Sequence, residues 1–153
     1  MEQNVSMKIN ELPSPTWNWL KVNETSIKWS TKIEPCEIAA EGDAVATETE
    51  QLSDIETGAG READAIFATE NTAKYQILAD NAGQDKTVRL HISGKKDAHT
   101  AGCVEIVAKE NSTLTVVMDS RVASDAVKVE DSTTEASLAV RVRMKVESGA
   151  SVR

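Results

Sequence analysis

Residues 104–120 have the sequence VEIVAKENSTLTVVMDS, in which apolar side chains recur at every second position on both sides of a polar segment. The apolar positions are Val104, Ile106 and Ala108 before that segment, and Leu114, Val116 and Met118 after it. A period of two is typical of a β-strand that buries one face, and Glu110-Asn111-Ser112 favours a turn. This stretch predicts two short strands joined by a corner, and it indicates a mainly β fold.

The same arrangement occurs on either side of this stretch. YQILAD (75–80) is followed by a turn signal at Asn81-Ala82-Gly83 and then by TVRLHIS (87–93), whose apolar residues again alternate with polar ones. The last sixteen residues, LAVRVRMKVESGASVR, are a third instance of the pattern, with a strand, a Glu-Ser-Gly turn and the first step of another strand. The chain therefore contains three strand-turn-strand units after residue 72.

The second and third units are similar to each other in facing and in turn chemistry. A shift of 36 residues places Val104 on Val140 and Ser112 on Ser148, so that the apolar face and the corner coincide. Self-similarity at a spacing of a few tens of residues predicts a β-solenoid of stacked coils. The alternative is an antiparallel sandwich, which explains the alternation of side chains but does not require a repeated corner.

The segment before residue 73 has a different composition. Ser14 and Pro15 favour the start of a short helix that ends near Lys21, with Trp17 and Leu20 on one face. Residues 33–55 are acidic and rich in Ala and Thr, and we interpret them as a linker with weak structure. A second helix is expected after Gly60 and before residues 70–72; its apolar face consists of Ala63, Ile66 and Phe67. We therefore expect two parts, an N-terminal segment with short helices at 1–72 and a β core at 73–153.

Charge and composition exclude several classes of function. The formal net charge is -8, and without a basic stripe we expect no nucleic-acid partner. The start MEQNVSMKIN is not typical of a secretory signal, and no run of 18 apolar residues occurs, so we expect a cytoplasmic protein that does not enter the membrane. Cys36 and Cys103 form no CxxC pair, which indicates reduced structural thiols.

Few side chains suggest metal binding or catalysis. His99 and Cys103 are four residues apart and could supply two soft ligands to a metal, but a stable site requires more ligands. His91 lies on the polar face of its strand, and Cys36 has no basic environment that would activate it. The alternating Arg, Lys and Glu residues of VEIVAKE and VRVRMKVE are expected to form outward, solvated faces.

Known catalytic patterns are absent as well. GAGRE (58–62) does not have the remaining residues of a nucleotide-binding turn. Glu105 and Asp119 could serve as a carboxylate pair, as in polysaccharide-cleaving β-helices, but no aromatic residue follows Tyr75 to hold a sugar. We therefore expect no enzymatic activity, no catalytic or cofactor-binding residue, and no metal site beyond the weak candidates His99 and Cys103.

Three stretches resemble the SufB/SufD family of iron-sulfur cluster assembly scaffolds, and in particular its SufD-like branch. They are LPSPTWNWLKVNE (12–24), GAGREADAIF (58–67) and VEIVAKENSTLTVVMDS (104–120). The resemblance covers nearly all of this chain but only the N-terminal portion of a family member. It implies the first coils of a right-handed parallel β-helix, truncated at the C-terminus and preceded by a small N-terminal segment.

The resemblance also implies a function. A family member is a non-catalytic scaffold subunit of the SUF complex that pairs with a SufB-type subunit and a SufC-type ATPase, and a transient iron-sulfur cluster is built on the full-length complex. The regions for these contacts are expected beyond this chain, so no functional residue is carried over and no cofactor is expected here. The alternative functions are a surface carbohydrate-binding β-solenoid and a self-assembling structural one.

Overall fold

Alternating apolar side chains direct one face of each central strand into a common core. The computed structural model describes residues 4–9, 25–30, 32–43, 52–55, 61–68, 70–80, 82–123 and 136–153. Within these ranges the chain forms the helix α1 (Arg61–Phe67) and the strands β1 (Asn4–Ile9), β2 (Thr25–Ser30), β3 (Ile33–Pro35), β4 (Glu37–Gly42), β5 (Ala73–Ala79), β6 (Asp85–Gly94), β7 (His99–Ala108), β8 (Thr113–Val122), β9 (Ser137–Val146) and β10 (Ser151–Val152). The described chain is mainly β, as the sequence predicts.

The strands form two main sheets and a separate pair. Sheet I has β7 at its centre, with β9 along one edge and with β3 and β5 end to end along the other. Sheet II has the order β4-β6-β8-β10. Every neighbouring pair in the two sheets is parallel except β4 with β6, and β1 pairs with β2 in antiparallel fashion.

The path of the chain links the two sheets repeatedly. From β5 to β10, successive strands alternate between sheet I and sheet II, and each strand pairs in parallel with the strand two places later. Parallel strands require a crossover connection, which the intervening strand of the other sheet provides.

The core lies between the two sheets. Its nearly inaccessible apolar side chains come from β5, β6, β7 and β8, and they are Ile77, Val88, Leu90, Ile92, Val104, Ile106 and Leu114. All of these residues fall on the apolar phase of their strands, so the alternation predicted from the sequence is confirmed. Burying a side chain of this size stabilises a fold by about 1.5–3 kcal/mol relative to leaving it exposed.

The pairing of β7 with β9 differs from the predicted shift of 36 residues. Val104 pairs with Val142 and Ile106 with Met144, which corresponds to a spacing of 38 residues. The predicted shift is wrong because a slip of two residues leaves every side chain on its original face, and the apolar pattern therefore cannot distinguish the two registers. Paired residues of β5 and β7 are 29 positions apart in the sequence, since Ala73 pairs with Gly102.

Contacts between stacked corners accompany this register. The backbone N–H of Asn111 donates to the carbonyl of Ser148 over 3.0 Å, and both Asn111 (φ 59°) and Gly149 (φ 69°) have positive φ. A Cβ atom at Gly149 would collide with the side-chain oxygen of Asn111. Only glycine can adopt this positive φ and approach the Asn111 side chain so closely with little conformational strain.

Residues 33–42 do not form the predicted weakly structured linker. Ile33–Pro35 pairs with the start of β7, and Glu37–Gly42 pairs with β6 along the edge of sheet II. The linker interpretation is wrong here because the apolar residues follow a period of two and not a helical stripe. Ile38 and Ala40 are partly buried and alternate with exposed residues at 37, 39 and 41, as in an edge strand. This part of the N-terminal segment is built into the same sheets as the β core.

The predicted helix after Gly60 is confirmed as α1. Ala63 and Ile66 are buried, and Ile66 packs with Ile33 and Ala101 on the outer face of sheet I. Spacings of three and four residues place these side chains on one side of a helix. The other predicted helix, from Pro15 to Lys21 with Trp17 and Leu20, lies outside the described residues. The N-terminal segment also contains the strand pair β1-β2, which the sequence analysis did not predict.

Candidate functional site

His99 and Cys103 both lie on β7 and are separated along an extended strand. Four residues at about 3.3 Å each span about 13 Å, which is too far for the two side chains to bind one metal ion without rearrangement. The Nδ1 atom of His99 lies 2.5 Å from the hydroxyl oxygen of Ser137 on β9. The described residues contain no group of three His, Cys, Asp or Glu side chains arranged to hold a metal ion.

Charged side chains surround Cys103 on the outer face of sheet I. The pairing of β7 with β9 places Arg141 beside Cys103 and Arg143 beside Glu105, while α1 contributes Asp64. We call these five residues the outer-face cluster. The alternating pattern of β9 predicts solvated arginines here, but the side chains of Arg141 and Arg143 are only 13% and 12% exposed.

Long ion pairs hold the outer-face cluster together. Arg143 Nη1 lies 3.8 Å from Glu105 Oε1, and Arg141 Nη1 lies 3.7 Å from Asp64 Oδ1. These distances exceed the usual N–H···O range, so the attraction is mainly coulombic. The Nε atoms of both arginines are buried and have no hydrogen-bond acceptor in the described part of the chain.

Uncharged side chains also contact the outer-face cluster. The amide of Gln76 on β5 donates to Glu105 Oε2 over 2.9 Å, so β5, β7 and β9 are linked by a row of polar side chains. The guanidinium of Arg141 lies 4.9 Å from the centre of the Phe67 ring, within the range of a cation–π contact. Phe67 and Asp64 belong to α1, so the helix covers Arg141, and this packing explains its low exposure.

The electrostatics of the cluster do not activate the thiol of Cys103. Burial raises the pKa of Cys103 above its ordinary value, and this effect exceeds the lowering by the charge and hydrogen bond of Arg141. Burial also raises the pKa of Cys36, whose sulfur atom packs against Gly102. Both cysteines are free and buried thiols, and a protonated thiol is a weak nucleophile.

His91 lies on the outer face of sheet II, as its strand phase predicts. Its ring nitrogens lie 3.9 Å from a carboxylate oxygen of Glu41 and 3.8 Å from one of Asp119. Asp119 also accepts hydrogen bonds from Arg121. Glu105 faces outward from sheet I, so the predicted carboxylate pair of Glu105 and Asp119 lies on opposite sides of the molecule.

Apolar side chains are exposed where the stack of strands ends. Met118 and Val122 lie on β8, and Met144 and Val146 lie on β9. All four side chains are on the core-facing side of their strands, but they remain accessible to solvent. We call these four residues the open end. Met144 is 51% exposed and Val146 is 48% exposed. In the described part of the chain, no strand pairs with the outer edge of β9.

Comparison with protein-family models, with curated proteins and with solved structures finds no match. In the part of the chain that the structure describes, none of the helical segments has both the length and the apolar character required to cross a membrane.

Proposed function

We propose that this chain forms coils of a right-handed parallel β-helix and acts as a non-catalytic scaffold subunit of the SUF iron-sulfur cluster assembly machinery in the cytoplasm. The observation that carries the proposal is the alternation of β5 to β10 between two sheets with parallel pairing throughout. A right-handed path is proposed because crossover connections between parallel strands are right-handed in nearly all proteins.

A scaffold role fits the placement of the reactive side chains. Cys36 and Cys103 are buried, and the two histidines lie on different sheets, where His91 is near the carboxylates of Glu41 and Asp119 and His99 contacts the hydroxyl of Ser137. Stacked coils provide instead a stiff body with long strand edges, which suits the assembly of other subunits. The proposed partners are a SufB-type scaffold subunit and a SufC-type ATPase, and the iron-sulfur cluster is the transient cargo of the assembled complex.

Co-purification with these partners tests the scaffold proposal. The whole product of the reading frame that encodes this chain is tagged and co-expressed with the SufB-type and SufC-type proteins of the same genome, and the product is analysed by size-exclusion chromatography with light scattering. A stable complex that contains all three proteins is expected, and a variant with His99→Ala and Cys103→Ser should form it equally well. If the other two proteins associate with each other and exclude the tagged chain, the proposal is refuted.

The open end favours self-assembly as the second candidate function. Strand edges with accessible apolar side chains can pair with other chains, and the four exposed residues of the open end provide such an edge. Sedimentation velocity over a concentration series distinguishes this function, since a self-assembling solenoid elongates as the concentration rises. A surface carbohydrate-binding role has less support, because no aromatic residue follows Tyr75 in the sequence.

A further inference from the structure

A histidine and a serine face each other across β7 and β9. His99 and Ser137 are neighbours in the parallel ladder, and His99 Nδ1 lies 2.5 Å from Ser137 Oγ. In the tautomer that carries its proton on Nε2, the Nδ1 atom accepts the hydrogen bond of the hydroxyl. An imidazole in this position can take the proton of a hydroxyl that acts as a nucleophile.

Backbone contacts hold Ser137 in position independently of its hydroxyl. The N–H of Ser137 donates to the carbonyl of Ala98 over 3.0 Å, and the carbonyl of Ser137 accepts a hydrogen bond of 2.8 Å from the hydroxyl of Thr100. Thr100 is fully buried. Both ends of Ser137 are therefore fixed beside His99, and a nucleophile and base that are already oriented react with a lower entropic barrier.

The pair lies at the margin of an apolar surface. Both side chains are half-buried, and on the other side of β7 the neighbour of His99 is Ile33 of β3. The next row on the same face of sheet I consists of Ala101 and Ala139. Ile33, Ala101 and Ala139 belong to the apolar cluster beneath α1. An acyl group on Ser137 would border these side chains, which favours a short apolar group over a charged one.

We propose that Ser137 is a site of covalent acylation, that His99 is its general base, and that the acyl donor is an activated ester of a short apolar acid. Ser137 Oγ forms a bond to the carbonyl carbon, and its proton passes to His99 Nδ1. The bond from that carbon to the leaving oxygen breaks, and the leaving group takes the proton from His99, so the products are an O-acylserine and an alcohol. One acyl group is transferred per chain, and the inference does not depend on the scaffold proposal.

Acylation by 4-nitrophenyl butyrate tests the proposal. The full chain is incubated with this ester at pH 8, and acylated residues are identified over time by peptide mass spectrometry. A general base accelerates such a step by about 10²–10⁴-fold. We therefore expect Ser137 to be acylated at least about 100-fold faster than Ser120, an exposed serine of β8 whose neighbour on β6 is Ile92. The rate at Ser137 should rise with pH and then level off, since only a neutral imidazole accepts the proton.

Matched variants separate a general base from a structural contact. His99→Asn keeps a side-chain oxygen that can accept a hydrogen bond but cannot take up the proton, so acylation of Ser137 should fall by at least about 100-fold. Ser137→Ala should remove the fast release of one equivalent of nitrophenolate, whereas the control Ser120→Ala should leave that release unchanged. Circular dichroism checks the fold of each variant, and His99→Gln replaces His99→Asn if the latter is unfolded.

Three results would each overturn the proposal. The first is acylation of Ser137 and Ser120 at equal rates, and the second is acylation of His99 or of lysine residues without any acyl group on Ser137. The third is an unchanged rate at Ser137 in a folded variant that lacks the imidazole, which would show that the contact between His99 and Ser137 is structural.

Discussion

Ile77, Ile106 and Met144 occupy one row across β5, β7 and β9, and this row provides a direct test of the packing. All three point toward the core, but Ile106 is 1% exposed while Met144 is 51% exposed. We predict that Ile106→Ala destabilises the protein much more than Met144→Ala does. The two substitutions remove side chains of similar size from neighbouring strands, so their difference isolates the effect of burial.

The loss of unfolding free energy in each variant can be estimated from the burial of the side chain that is removed. Truncating a buried Leu, Ile or Met to Ala costs about 2–5 kcal/mol, including the cavity that remains. The strand that carries Ile106 lies between two others, and its side chain is enclosed by core residues, which places it near the middle of that range, at about 3–4 kcal/mol. Met144 keeps about half of its surface in water and borders no closed space, so its truncation should cost about 1 kcal/mol.

Urea unfolding followed by far-UV circular dichroism measures both values. The midpoint concentrations of the two variants are compared with that of the unmodified chain at constant m-value, because a changed m-value would indicate a change in the unfolded or native ensemble. A cost for Met144→Ala equal to or greater than that for Ile106→Ala would refute this description of the core.

Three further predictions concern the corners and the thiols. Gly149→Ala should destabilise the protein more than Gly83→Ala does in urea unfolding, because both glycines have positive φ but a Cβ atom has open space only at Gly83; equal costs would argue against the corner contact. The hydrogen bond from Lys109 lowers the pKa of Glu147 below its ordinary value of 4.5, so its stabilising effect is present above that pH and is lost as the pH falls through the lower folded-state pKa. Thermal unfolding from pH 6 to pH 3 should therefore show a smaller loss of Tm for Lys109→Met than for the unmodified chain, and identical pH profiles would contradict this. Cys103, whose pKa is raised by burial, should react with a thiol reagent at pH 8 much more slowly in the folded protein than in urea, and equally fast reaction would show that it is accessible.

The strand pattern of the sequence was sufficient to locate most of the β core. Val88, Leu90 and Ile92 alternate with polar residues in β6, and all three are buried as predicted. The same type of pattern could not establish the register of β9, because the period of two makes slips by an even number of residues equivalent. The close approach of Asn111 and Gly149 at the corner distinguishes between these registers, whereas the strand pattern does not.

The burial of the two arginines of β9 and the pairing of β4 depend on residues that are distant in the sequence. Arg141 and Arg143 have the sequence pattern of a solvated strand face. In the fold, Asp64 and Phe67 of α1 contact Arg141, while Glu105 pairs with Arg143. The edge strand β4 was missed because Ala and Glu have low intrinsic preference for strands, whereas its pairing with β6 overrides that preference.

The unequal spacing of paired strands has a consequence for how this protein can vary. The connection between β6 and β7 comprises residues 95–98, whereas that between β8 and β9 comprises residues 123–136, yet both join strands of the same two sheets. Lengthening a connection costs little free energy, since each doubling of its length costs only about 0.6 kcal/mol in closure entropy. The same two sheets therefore tolerate connections of very different length, and we expect an affinity tag or a fluorescent reporter inserted between β8 and β9 to leave their alignment unchanged.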